Sequence, residues 1–575
     1  MMINRLTKRS LPTLEPLFST MIDIIRKNLI HMVLPILLML LSKYNERYYL
    51  QPDHLSLAPL YLIRIIIFIT GFWVSISLIT PIIKLKRHAL VFSPAQKSFF
   101  GIFIVLLAWY GSWLIIYYPG SYTTDTLDAI RQISFMELND WFSYLHPLTY
   151  LLLYQFYPHI IVIGVAQCLL FAFVFADITN FIYNKLDIKT KWKISGLIIF
   201  LIFLLSITSF TYYSFFYMRD IPYSLLHLYF AFYIYKCSLN AKQKEFSLKQ
   251  LIILLSLGLI LSIYRGEGWV ILFTGIFVLF IYGTLSRTLV TRVFSIAFAG
   301  FLFLEFILPK IINVYPSDKN HYKLTLIAYP LGFILNQGRH AVFSNYEHDI
   351  AKLSKVVNIQ DIKENTNCYN ISEFQHGKNN WDRNASPEEW ANFFTTTYQI
   401  FLKNPHFFLA ARTANFTGQL IGFEGRTERT NDQGRNEFTY NECKNNKNNV
   451  WCQEFCGEKM FRILSAIPSC KENNGVCGLF NLMKLNKLEM DWHWNSTFAF
   501  IFSFIVLFLY KYFPISAMSS AVILSRVPLV FLTAPYGFFR YVFSLYLFGI
   551  FILLFVLLEW RSKNQNLKAS SANLK

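Results

Sequence analysis

Residues 98–118 read SFFGIFIVLLAWYGSWLIIYY, and residues 119–147 read PGSYTTDTLDAIRQISFMELNDWFSYLHP. The first stretch is apolar and matches the roughly 20 residues a helix needs to cross a bilayer. The second turns polar at Pro119-Gly120. It carries Asp125, Asp128, Glu137, Asp140 and His146 before the chain becomes apolar again. A spanning helix that delivers a run of ionisable groups to a membrane surface sets the class of the whole chain.

Composition agrees. Of 575 residues, 54% are hydrophobic, 18% aromatic and only 15% charged, against about 25% charged in soluble proteins. The first 28 residues lack the apolar core and cleavage site of a signal peptide, so the first span is expected to be retained. A net charge of +19 raises the question of nucleic acid, but the cations lie in short loops between apolar runs. That is the positive-inside pattern, and no nucleic-acid partner follows from it.

Apolar runs place about twelve transmembrane helices near 29–43, 59–83, 98–118, 160–183, 194–213, 221–238, 250–264, 268–285, 293–309, 495–511, 514–534 and 541–560. With the N-terminus inside, segments 1–28, 84–97, 184–193, 236–249, 286–292, 511–512 and 561–575 hold 24 Lys and Arg. The short outer segments 43–56, 119–146, 210–220, 265–267 and 535–540 hold 6. Both termini are therefore expected inside. The apolar segment 147–157 must return along the outer surface as a half-inserted helix, with Pro147 in its first turn, where a missing N–H costs nothing.

The organisation follows. Residues 1–97 are an inner segment plus two extra helices, 98–309 a transmembrane module with first outer loop 119–146, and 310–494 an outer, mainly helical domain. Three helices span 495–560, and 561–575 is a basic inner tail. In the outer domain, Ser386-Pro-Glu-Glu-Trp390 reads as an N-cap, a first-turn proline and first-turn acids. The helix runs to about Leu402 and breaks at Asn404-Pro405; a second amphipathic helix covers 406–421. Six cysteines lie in this domain: Cys368, Cys443, Cys452, Cys456, Cys470 and Cys477. An even count outside the cytoplasm points to disulfides. Zinc is the rival, and paired Cys-x2-Cys spacing with nearby histidines is missing.

Several polar groups fall on the outer face: Asp125, His146, Arg219, Asp220, Arg265, Glu267, Arg540 and Tyr541. Ionisable groups at membrane depth usually face a bundle interior or a water-filled cleft. Each also has a plain structural reading. Asp125 suits an N-cap of a helix over 126–133. His146 suits an interfacial side chain, Arg219 and Asp220 a mutual pair, Arg265 and Glu267 the end of a tight hairpin. Arg540 suits snorkelling to headgroups. Glu305 lies near the outer end of its span. Arg526 and Asp177 lie inside spans as buried polar contacts.

Pro119-Gly120…Asp125-Thr126…Gln132 and His146-Pro147 resemble the first outer loop of bacterial membrane proteins allied to the GT-C glycosyltransferases, typically Pro-Gly…Asp-Ser…Gln…Trp-His-Pro-Pro. Arg219-Asp220-Ile-Pro is similar to the Lys-Asp-x-Pro motif of that group, and Tyr264-Arg265-Gly-Glu-Gly268 to an Arg-Asn-x-Gly motif. Asn404-Pro405…Phe408 and Phe539-Arg540-Tyr541 resemble its Asn-Pro and Arg-Tyr elements. More distantly the chain is similar to protein O-mannosyltransferases and the aminoarabinose transferase of lipid A. Leu145 stands where Trp is common, and Leu148 replaces the second proline.

The resemblance implies a multi-pass enzyme of the bacterial cytoplasmic membrane with a GT-C-like fold. Such an enzyme takes a sugar from a polyprenyl-phosphate donor at the outer face and passes it to a glycan, lipid or protein acceptor. Asp125 would be the base and Asp220 a second acid. Arg219, Arg265 and Arg540 would bind phosphate, with His146, Glu267 and Tyr541 in the same substrate-binding set. No cofactor is certain, and a divalent metal is left open. The alternative is a transporter or flippase of a lipid-linked or anionic solute; a third reading is a structural subunit whose outer domain binds a partner.

The topology has a direct test. A membrane-impermeant thiol reagent on intact cells should label Asn139→Cys and spare Ser571→Cys. The reverse pattern inverts the orientation.

Overall fold

The computed structural model describes residues 15–421 and 491–572, apart from 51–56, 85–91, 119, 123, 142, 187–188, 242–245, 283–285, 366–373, 375–379, 383 and 536. The described chain is nearly all helix. In order come α1 (Glu15–Tyr49), α2 (Ala58–Lys84), α3 (Pro94–Ile116), β1 (Ser121–Tyr122), α4 (Thr124–Phe135), α5 (Leu145–Tyr154), α6 (Ile161–Lys185) and α7 (Thr190–Ser206). They are followed by α8 (Thr208–Phe215), β2 (Phe216–Tyr217), α9 (Asp220–Ala241), α10 (Leu248–Tyr264), α11 (Gly268–Ile281) and α12 (Arg287–Leu302). A π-helical turn, Phe303–Ile307, joins α12 to α13 (Leu308–Ile311). Then come α14 (Lys319–Leu335), α15 (Tyr346–Leu353), α16 (Ile359–Asn365), α17 (Pro387–Lys403) and α18 (Pro405–Leu420). The chain closes with α19 (Thr497–Phe508), α20 (Pro514–Leu524), α21 (Val527–Thr533) and α22 (Phe543–Ala572).

Among the described residues, six helical stretches are long and apolar enough to cross a membrane: Ala58–Ser77, Pro94–Ile116, Ile161–Lys185, Arg287–Ile311, Pro514–Thr533 and Phe539–Gln565. The pair α7–α8, bent by 61°, makes a seventh if it is one span. Helices also fill the other positions where spans were expected. There, however, α10, α11 and α19 have only 17, 14 and 12 residues. α9 is longer but carries Asp220, His227 and Lys236 among its apolar residues.

The helix starts have local causes. α3, α10 and α17 each begin with a capping box, Ser93/Gln96, Ser247/Gln250 and Ser386/Glu389. In each, the serine hydroxyl accepts an orphan backbone N–H and the partner side chain returns the favour. The expected helix break at Asn404-Pro405 is present. Buried Asn404 donates to the carbonyls of Val342 and Ile400 and accepts from the Val342 amide, each at 2.8 Å. Pro147 lies in the first turn of α5, as expected.

Two apolar cores result. The larger runs through α3, α6, α8, α9, α11, α20 and α22. Burial grades across it: 67% of the Phe539–Gln565 window is inside and only 11% of the Arg287–Ile311 window. The second span is thus peripheral. A separate core gathers Leu324, Ile334, Leu353, Trp390, Phe393, Ile400 and Ala411 from α14, α15, α17 and α18. Cys168 and Cys237 are free and buried. All six cysteines expected in disulfides lie outside the described residues.

The two-residue strands pair in parallel, Ser121 with Phe216 and Tyr122 with Tyr217. Gly120 enters this clip at φ 106°. A Cβ there would collide with the Tyr217 ring and the Phe215 carbonyl. Gly120→Ala should therefore lower stability by about 1–3 kcal/mol, read as a fall in melting temperature in detergent. Gly266→Ala, whose added methyl meets nothing, should melt like wild type. Equal melting of all three proteins would contradict the clip.

Candidate functional site

The loop after α3 is fastened at several points. Thr126 donates its hydroxyl to the Tyr217 carbonyl, and Gln167 donates to the carbonyls of Tyr213 (2.5 Å) and Phe216 (2.8 Å). Ser143 donates to the Ile263 carbonyl and Tyr144 to that of Leu304. Three acids of the loop are used in these fastenings. Asp128 holds Arg131 and Gln132, Glu137 holds Arg131, and Asp140 accepts from the Ser317 amide and hydroxyl. Asp125 is different. It is partly exposed and its carboxylate lies in the field of the Tyr150 phenol. α4 starts at Thr124, so Asp125 sits inside the first helical turn instead of capping it. A first-turn carboxylate is favoured there by the helix dipole.

The clip sets the loop beside the start of α9, where the charges converge. Asp220 is in ion-pair contact with Arg265, which follows α10, and lies 3.5 Å from Arg540, which precedes α22. Glu267, at the start of α11, accepts from Arg265 at 2.8 Å and from Arg526 at 3.1 Å. Arg526 directly precedes α21, two residues after α20 ends. Arg219 adds a fourth positive field, felt at His146, Arg265 and Glu267. Aromatic faces line the cluster: Arg526 lies 4.8 Å from the centre of Tyr223, and Arg265 and Arg540 lie 5.4 and 5.7 Å from that of Tyr541.

Among the described residues, four guanidinium groups thus gather around two carboxylates in a largely buried place. Asp220, Arg265, Arg526 and Arg540 are 3%, 9%, 2% and 8% exposed. Burial pushes the Glu267 carboxyl up, but Arg265 and Arg526 outweigh it and hold the group down at about 2. Burial lowers Arg265 to about 10, against the pull of Glu267; it stays cationic at neutral pH. His146, packed 4.5 Å from the Tyr150 ring centre, is pushed down to about 3 by burial and by Arg219. It is a neutral imidazole, and neither ring nitrogen has a hydrogen-bond partner among the described residues. Nη1 of Arg526 and the Tyr223 hydroxyl are likewise buried and unpartnered. Buried polar groups are normally satisfied, so this corner has donors to spare for an anion.

Seven of the eight residues singled out from sequence fall at or beside this cluster: His146, Arg219, Asp220, Arg265, Glu267, Arg540 and Tyr541. Asp125 stands one layer away, across Tyr150. Two further simple readings change, besides the capping role of Asp125. Asp220 is held by Arg265 and Arg540, residues remote in sequence. Arg540 is buried over Phe538, at 4.2 Å, and does not snorkel. The sequence shows Arg526 only as a buried polar residue; its partner Glu267 is 259 positions away. Tyr223 had no sequence signal. Asp177 is settled elsewhere, on Lys236 at 2.9 Å and Tyr229 at 3.0 Å. Among the described residues no three His, Cys, Asp or Glu side chains form a metal-holding set. A surface hollow of about 650 Å³ lies at the other end of the bundle, between Ile281, Tyr282, Leu507, Tyr510, Lys511 and Pro514, so charge and not concavity selects the site.

Comparison of the chain with protein-family models, with curated proteins and with solved structures finds no match.

Gly268 keeps the hairpin tight, since a Cβ there would strike the Leu261 carbonyl, and this closeness places Glu267. Removing the Glu267 charge strands Arg526. Glu267→Gln should cost about 3–5 kcal/mol, and adding Arg526→Met should recover part of it. Thermal or denaturant unfolding in detergent measures both. An unchanged stability for Glu267→Gln would contradict the pairing.

Proposed function

We propose that this chain is an integral-membrane glycosyltransferase that moves a sugar from a polyprenyl-phosphate-linked donor to a cell-envelope acceptor. The observation that carries the reading is the set of four arginines, two carboxylates and a neutral histidine gathered at the end of the bundle where the first loop folds back. The GT-C resemblance of the motifs supports it. About twelve crossings, both termini inside, an outer domain over 310–494 and placement in the bacterial cytoplasmic membrane belong to the same proposal.

The chemistry assigns each residue a task. Arg219, Arg265, Arg526 and Arg540 bind the donor phosphate by charge-assisted hydrogen bonds. Asp220 and Glu267, already ion-paired, hold the guanidinium groups in place. His146 and Tyr541 shape the wall. The acceptor hydroxyl oxygen bonds to the anomeric carbon, the bond from that carbon to the phosphate oxygen breaks, and the hydroxyl proton passes to the Asp125 carboxylate. Polyprenyl phosphate leaves with its new negative charge facing the arginines, where preorganised donors in a dry site stabilise it most. A transporter would use the same charges along a path through the bundle. Here they gather at one end, and the interior pair Asp177–Lys236 is mutually satisfied, which favours transfer.

Asp125→Asn keeps the shape of the side chain and removes the base. With membranes loaded with a panel of polyprenyl-phosphate hexoses, transfer should fall about 10²–10⁴-fold while expression and melting stay as in wild type. Equal transfer by both proteins would return Asp125 to a structural role.

A further inference from the structure

One buried arginine stands outside the cluster. Arg412, on α18, is 2% exposed, and no carboxylate pairs with it among the described residues. A buried guanidinium without a counter-charge is costly, so its position needs a cause. Its donors go to backbone carbonyls. Nη2 reaches the Leu326 carbonyl of α14 at 2.5 Å, and Nη1 reaches the Ala534 carbonyl at 3.0 Å. Asn415, one turn along α18, donates to the same Ala534 carbonyl at 3.3 Å. Nε has no hydrogen-bond partner among the described residues. Phe408 underlies the guanidinium at 5.5 Å. Burial pushes it down to about 10, so it is charged at neutral pH and its hydrogen bonds are of the stronger, charge-assisted kind.

Ala534 is the residue at which α21 ends. The segment it belongs to begins at Arg526, on Glu267, and ends at Arg540, beside Asp220. α18 packs against both α21 and the short Phe539–Val542 helix, so it lies along this segment. Its first half runs into the second core through α14, while Phe416 and Leu420 at its other end belong to the larger core. Arg412, helped at Ala534 by Asn415, is therefore a polar link between α14 of the second core and the backbone that carries two of the four arginines.

We infer that Arg412 is a positioning residue: by gripping the carbonyls of Leu326 and Ala534 it holds the 526–540 segment, and with it Arg526 and Arg540, in register with Glu267 and Asp220. The grip itself stands apart from the proposed function; only its effect on phosphate binding rests on that reading.

Hydrogen exchange on the detergent-purified full chain tests the grip, because local opening of a segment is what exchange reports. In Arg412→Gln, peptides covering 527–542 should exchange about tenfold faster, while those covering 387–403 on α17 keep wild-type protection. Arg412→Lys, which reaches one carbonyl, should fall between and guards against a variant that fails to fold. Unchanged exchange over 527–542 overturns the inference. So does an equal rise over 387–403, which would assign Arg412 to the second core alone. Undecaprenyl phosphate binding gives the second readout. Arg412→Gln should bind it about tenfold more weakly, since small displacements of binding groups are felt strongly. Undiminished affinity beside faster exchange would overturn the positioning role. Failure of the wild type to bind this lipid would sink the phosphate reading, with the exchange result still deciding the grip.

Discussion

Glu267 is shared between Arg265 and Arg526, and Asp220 between Arg265 and Arg540. Carrying guanidinium groups into the end of an apolar bundle is expensive unless each is paired and hydrogen-bonded, so these two carboxylates are what permits the cluster. The surrounding structure brings them there. The tight α10–α11 turn delivers Arg265 and Glu267 together, and α9 begins on Asp220. The break between α20 and α21 frees Arg526, and the short helix before α22 aims Arg540.

The rest of the loop end serves this arrangement. The β1–β2 clip, closed over Gly120, binds the first loop to the segment just before Arg219. Gln167 satisfies two carbonyls of that segment from within α6. Asp128, Glu137 and Asp140 are spent on shaping the loop, which leaves Asp125 partly exposed beside Tyr150. At the far end of α5, Gln155 is the junction with α1: Ser42 donates to its side chain, Asn45 to its carbonyl at 2.8 Å, and its amide donates to Tyr49. The N-terminal pair of helices is thus tied to the helix that carries His146.

Much of this was legible in the sequence. Apolar runs located the helices because a spanning or core-buried helix must be apolar on most faces. Ser386, Pro387 and Glu389 announced α17 through capping chemistry, and Asn404-Pro405 announced its end. Span number was less legible, since a short apolar run reads alike for a crossing and for a helix buried in a bundle. α11 and α19 show this. The gathering of Arg219, Asp220, Arg265, Glu267 and Arg540 followed from helix alternation, which returns every second loop to one end. Pairings did not. Nothing local joins Arg526 to Glu267, and Arg412 in an amphipathic helix reads as a solvated charge until its two carbonyls are seen.

The central claim is that this arginine cluster receives a lipid phosphate. The most direct measurement compares binding of undecaprenyl phosphate with that of the uncharged alcohol undecaprenol to the purified protein, at low and high salt. The account predicts that the phosphate binds, that the alcohol binds far more weakly, and that Arg526→Gln erases the difference. Equal binding of the two lipids by the wild type would contradict it.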